Sequence, residues 1–88
     1  MWVRIRLDTG VVEWVNLDNV RSVSIGGDPD DPVVVFAFID GNRTLFKMTY
    51  IRSVSVYSHD VLVEDLAILA NISQREQRGN RWVEEATG

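Results

Sequence analysis

Two stretches decide how this chain is read: VRIRLDTGVVEWVNLDNVRSVSI (3–25) and VVFAFIDGNRTLFKMTYIRSVSV (34–56). They align without a gap at an offset of 31 residues. Gly10 meets Gly41, and Arg21-Ser22-Val23-Ser24 meets Arg52-Ser53-Val54-Ser55. Apolar residues also fall opposite one another: Ile5 with Phe36, Leu7 with Phe38, Val15 with Phe46 and Val20 with Ile51. In a chain that is 45% hydrophobic, matched apolar residues alone carry little weight. A four-residue identity in register with a shared turn glycine carries much more. Residues 2–25 and 33–56 are therefore read as one β-unit written twice. Two copies are too few for a solenoid, so a pseudo-twofold domain is expected.

Each copy predicts three strands. The first spans 2–8 or 33–39, where Val, Ile and Phe alternate with other residues. Asp8-Thr9-Gly10 and Asp40-Gly41-Asn42 then supply residues that tolerate the positive φ of tight turns. The second strand spans 11–16 or 43–48, and the third 21–26 or 52–57, after a short polar bend. Glu13 shares parity with Val11 and Val15, which suits a bulge or an exposed edge. Gly26-Gly27-Asp28-Pro29-Asp30-Asp31-Pro32 is the strongest breaker in the chain and is read as the joint between copies.

The first strands differ on their outer faces. Val3, Ile5 and Leu7 form one face in the first copy, with Trp2, Arg4, Arg6 and Asp8 on the other. In the second copy Val34, Phe36 and Phe38 face inward, and Val33, Val35, Ala37 and Ile39 are left outside. A strand apolar on both faces is normally covered on both. The covering element is expected to be the C-terminal helix or a second chain.

That helix is predicted over about 60–73, with Asp60 as N-cap and Glu64 and Asp65 favourably placed near the positive end of its dipole. Leu62, Leu66 and Leu69, with Val63 and Ala70 beside them, form one apolar stripe. Val61, Ile68 and Ile72 form a second. Residues 74–88 read as a polar, flexible tail, with Gly79 stopping any helical extension and Trp82-Val83 as a small docking point.

The fold class is thus mainly β. Two three-stranded antiparallel units form a small sandwich or open barrel, followed by one helix. All 88 residues suit a single domain, with 1–73 as its folded part. With no cysteine, disulfides, cysteine–zinc sites and thiol catalysis are excluded. The start, Met1-Trp2-Val3-Arg4-Ile5-Arg6, alternates rather than forming an apolar secretory segment, and no run approaches membrane-spanning length. A soluble cytoplasmic protein with no membrane association is the expectation.

Catalytic patterns are weak. His59 is the single histidine, and the serines of both Arg-Ser-Val-Ser blocks have no neighbouring base to activate them. Asp28, Asp30 and Asp31 lack the glycine and terminal glutamate of a calcium loop at the expected spacing. The chain is expected to be non-enzymatic and to use no cofactor or metal. Its surplus apolar surface predicts a homo-oligomer, most simply a dimer, acting as an assembly or regulatory module with itself or another protein. Val33, Val35, Ala37, Ile39, Val61, Ile68 and Ile72 are the expected interface. The alternative is a small binder of nucleic acid or a nucleotide-like ligand, using Trp2, Arg4, Arg6, Trp14, Arg21 and Arg52. The net charge of −4 weighs against that alternative.

Overall fold

The computed structural model describes residues 1–75. Its elements repeat at the same offset as the sequence. Strand β1 (Trp2–Leu7), β2 (Val12–Asn16), a 3-10 turn (Leu17–Asn19) and β3 (Val20–Asp28) make up the first copy. Strand β4 (Asp31–Phe38), β5 (Arg43–Lys47), a second 3-10 turn (Met48–Tyr50) and β6 (Ile51–Val56) make up the second. A two-residue strand, β7 (His59–Asp60), and a 3-10 turn (Val63–Asp65) lead into α1, helical over residues 66–75.

Hydrogen-bonded pairing exchanges the third strands between copies. One sheet has the order β2-β1-β6-β7 and the other β3-β4-β5. The two copies therefore complete each other within one chain. In the first sheet Val3 pairs with Val56, Ile5 with Val54 and Arg6 with Ser53. Their counterparts in the second are Val34 with Ile25, Phe36 with Val23 and Ala37 with Ser22. Even the irregularities match. The β1–β6 ladder steps from Ser53 to Ile51, leaving Arg52 as an extra residue, and the β3–β4 ladder steps from Ser22 to Val20, leaving Arg21. The duplicated Arg-Ser-Val-Ser block thus marks a duplicated β-bulge.

The Gly26–Pro32 breaker is not a linker between self-contained units. Strands β3 and β4 run through it as a hairpin closed by Pro29 and Asp30, with Asp28 paired to Asp31. Proline supplies the φ that the turn needs, and the Asp28 carboxylate accepts a hydrogen bond from the Asp30 N–H at 3.0 Å. This hairpin hands the first copy's third strand to the second copy. Glu13 is accommodated by the exposed-edge alternative: β2 is an edge strand, and Glu13 is exposed there opposite Ile5.

The sheets form a sandwich whose core lies between their inner faces. Val3, Ile5, Val15, Val54 and Val56 come from one sheet, and Val20, Val34, Phe36 and Phe46 from the other. Phe36 meets Phe46 edge to face, with centroids 5.8 Å apart and planes at 88°. Burying each of the larger side chains contributes about 1.5–3 kcal/mol. Leu66 and Ala70 of α1 join the same core.

The helix begins later than its sequence pattern predicts. Asp60 is not its N-cap: His59 and Asp60 pair with Val56 and Ser55 as β7, and helical turns start only at Val63. Tyr57 and Ser58 form the two-residue β6–β7 turn, with φ of 51° and 68°. Leu62 consequently precedes the helix and is exposed, while Val61 packs against the core. The buried stripe of α1 runs through Leu66, Ala70 and Ser73. Ser73 Oγ donates to the Asp18 carboxylate, which also accepts from the Met1 ammonium at 3.0 Å. Gln74 Nε2 donates to the Val20 carbonyl and, at 3.2 Å, to that of Arg21. Thus α1 continues through Gln74 and Arg75 and docks beside the first copy's 3-10 turn. The expected stop at Gly79 and docking point at Trp82-Val83 lie outside the described residues. Among the described residues no helix is long and apolar enough to cross a membrane.

Candidate functional site

Because the copies share one backbone pattern, their outer faces can be compared position by position. On β1, Arg4 lies between Trp14 of β2 and Ser55 of β6, and Arg6 lies between Val12 and Ser53. Trp2 lies opposite Asn16 and diagonal to Trp14. The equivalent positions on β4 and β5 are Val35 against Leu45, Ala37 against Arg43, and Val33 against Lys47. One sheet therefore presents indoles and guanidinium groups where the other presents aliphatic side chains.

The sequence candidates are distributed as follows. Trp2, Arg4, Arg6 and Trp14 share the outer face of the four-stranded sheet. Trp2 and Trp14 are 54% and 59% exposed, far more than packing requires. They border an open groove of about 760 Å³ whose other walls are Arg4, Val12, Ser55, Tyr57 and Ser58. Arg52 stands beside Arg6 in a smaller recess that also includes Asp8 and Ser53. Arg21 does not join them, because its bulge belongs to the three-stranded sheet. Among the described residues no carboxylate lies within ion-pair distance of Arg4, Arg6 or Arg52.

Of the expected interface residues, Val33, Val35 and Ala37 are half-buried along the outer face of β4. Leu45, which the first-strand pattern did not single out, lies opposite Val35 and is 60% exposed. Ile39 leaves this face. Its N–H donates to the Asn19 carbonyl at 2.9 Å, and its side chain lines a second groove with Trp2, Trp14 and Phe38. Val61 is drawn to the core because β7 pulls it there, its N–H donating to the Val54 carbonyl at 2.9 Å. Ile68 and Ile72 remain exposed on α1.

Charge is polarised along the three-stranded sheet. Asp28, Asp30 and Asp31 cluster at the β3–β4 turn, where Asp31 meets Lys47 at 3.3 Å. Arg43, opposite Ala37, and the Arg21 bulge lie at the other end. The turn formed by Tyr57 and Ser58 carried little signal in the sequence, since neither is a residue type that announces positive φ. Among the described residues, no three His, Asp or Glu side chains are grouped closely enough to hold a metal ion. Comparison with protein-family models, curated proteins and solved structures found no match.

Proposed function

We propose that this chain is a non-enzymatic assembly module that pairs with a second copy of itself through the outer face of β3-β4-β5. The observation that carries the reading is the row Val33, Val35 and Leu45, aliphatic where the duplicate positions hold Trp2, Arg4 and Trp14. Leu45 at 60% exposure has no partner within the fold that accounts for it. Removing such a patch from water is the usual driving force for association.

Charge complementarity supports a second copy as the occupant. A twofold axis across the strands places the acidic turn at Asp28, Asp30 and Asp31 of one chain against the Arg43 end of the other. Such an interface is isologous and closes at a dimer. A three-stranded face spans roughly 25 by 14 Å. That is well below the roughly 800 Å² per partner of a standard interface, so weak association, with dissociation in the micromolar range or above, is expected. Ile68 and Ile72 form a separate aliphatic surface on α1, flanked by Glu64 and Asp65 at one end and Arg75 at the other.

The reading is tested by light scattering on the chain and on Leu45→Glu, over roughly 5–200 µM. A concentration-dependent dimer abolished by the substitution supports it. A monomer throughout, or a dimer indifferent to Leu45, refutes it.

A further inference from the structure

The turn joining β6 to β7 is built from unfavourable residues. Both of its central positions have positive φ, 51° at Tyr57 and 68° at Ser58. Two-residue hairpins with that signature favour Asn-Gly, because side chains other than Asn, Asp and Gly are strained there. At the same offset the first copy has Gly26 and Gly27, which are not a turn but lie within β3, paired to Val33 and Pro32, and of which only Gly27 has a positive φ, 84°. The second copy therefore holds a tyrosine and a serine where its duplicate holds glycines. A turn with positive φ at two consecutive non-glycine residues is strained, and strain of this kind points to a use for the side chains.

What those side chains do is visible from their surroundings. Tyr57 is 74% exposed, so it supports no core. It lines the groove with Trp2, Trp14 and Arg4. Three aromatic rings thus border one open surface, and Arg4, Arg6 and Arg52 carry positive charge along the same sheet. Ser53 and Ser55 lie beside those arginines and add hydroxyls. From Trp2 to Arg6 the platform extends about 13 Å, enough for a few nucleotides.

We infer that this face binds single-stranded nucleic acid, its bases stacking on Trp2, Trp14 and Tyr57 and its phosphates meeting Arg4, Arg6 and Arg52. Stacking platforms tolerate any base, because every base presents a π face, and guanidinium groups free of carboxylates pair readily with phosphate. The site lies on the sheet opposite the proposed dimer face, so both can be occupied together. Asp28, Asp30 and Asp31 lie on the other sheet, whereas Asp8 borders the Arg6–Arg52 recess and Asp60 lies opposite Ser55, so part of the negative charge borders the platform itself. The overall negative charge makes the binding weak and strongly favoured by low salt.

The test is tryptophan fluorescence of the full chain titrated with a six-nucleotide oligothymidylate at 20 mM and 200 mM salt. Saturable quenching is expected, weaker at high salt. Trp14→Ala should weaken binding roughly 5- to 160-fold, the range for losing one stacked base. Arg4→Gln should flatten the logarithmic salt dependence by about 0.7. The double variant Tyr57→Asn with Ser58→Gly separates binding from folding: it should melt at a higher temperature yet bind more weakly. Absence of quenching, binding unaltered by these substitutions, or thymidine monophosphate or a duplex binding as tightly as the hexamer would overturn the inference. So would quenching by a proline-rich peptide where the oligonucleotide gives none.

Discussion

Gly10 and Gly41 hold the same backbone conformation, with φ of 87° and 92°, at equivalent turns 31 residues apart. Each donates its N–H at 3.0 Å to a carbonyl three residues earlier, Leu7 and Phe38 respectively. A Cβ added at either position meets nothing within 4 Å, so the cost of alanine there is backbone strain alone. Gly10→Ala and Gly41→Ala should each destabilise the fold by about 1 kcal/mol, and equally. Gly27 has the same requirement with less room, since an added Cβ would lie 3.3 Å from Val33 Cγ2 and 3.4 Å from the Asp31 carbonyl. Gly27→Ala should therefore cost more, about 2 kcal/mol. Urea denaturation of the three variants checks the order.

Ile5 and Phe36 are the equivalent centres of the two first strands, and both are fully buried. Ile5→Ala should cost about 2–4 kcal/mol, and Phe36→Ala about 3–5 kcal/mol. The difference includes the edge contact with Phe46, which an alanine cannot make. A domain of this length holds only about 4–13 kcal/mol in total. Phe36→Ala should thus sit near the edge of unfolding at 25 °C, visible as a lost plateau in the denaturation curve.

Docking of α1 rests on polar contacts as well as on Leu66 and Ala70. Ser73→Ala removes the hydroxyl that reaches Asp18 across 55 residues of sequence, while the Met1 ammonium still satisfies the carboxylate. The expected loss is about 1 kcal/mol. It should be local. Amide exchange should quicken at 66–75 and stay slow at Val3 and Ile5, as expected when one peripheral element opens by itself.

The repeat was legible because its physical requirements are local. A turn needs a residue that accepts positive φ, and glycine announces it at positions 10 and 41. The bulges at Arg21 and Arg52 reuse one four-residue block. The alternation in β1 and β4 separated Val3 and Ile5 from Trp2, Arg4 and Arg6, and Arg4 does face Trp14. Which copy each third strand joins was not legible. A period fixes what each segment becomes, whereas long-range pairing is set by the Pro29-Asp30 hairpin and by a core that both copies must fill.

The errors have equally specific causes. Asp60 has the chemistry of an N-cap, but Tyr57 and Ser58 adopt a turn that their residue types do not advertise, and the resulting strand takes Asp60 first. Val61 follows it toward the core for the same reason. Ile39 continues the alternation of β4 in sequence, yet the strand ends at Phe38 and the next residue turns toward the indoles. Ser73 falls at the end of the apolar helix pattern, where a buried serine has no sequence signal until its partner, Asp18, is known.

The central claim is that divergence of one duplicated face created a homotypic interface, and Val35 lies at its middle, between Ser24 and Leu45. Light scattering coupled to size exclusion measures this directly for the native chain and for Val35→Glu with Leu45→Glu. The account predicts that the native chain approaches twice its 10.0 kDa mass as concentration rises through the micromolar range, and that the double variant stays folded at the mass of one chain. A native chain that remains monomeric at 200 µM, or a double variant that dimerises as well as the native chain, would contradict it.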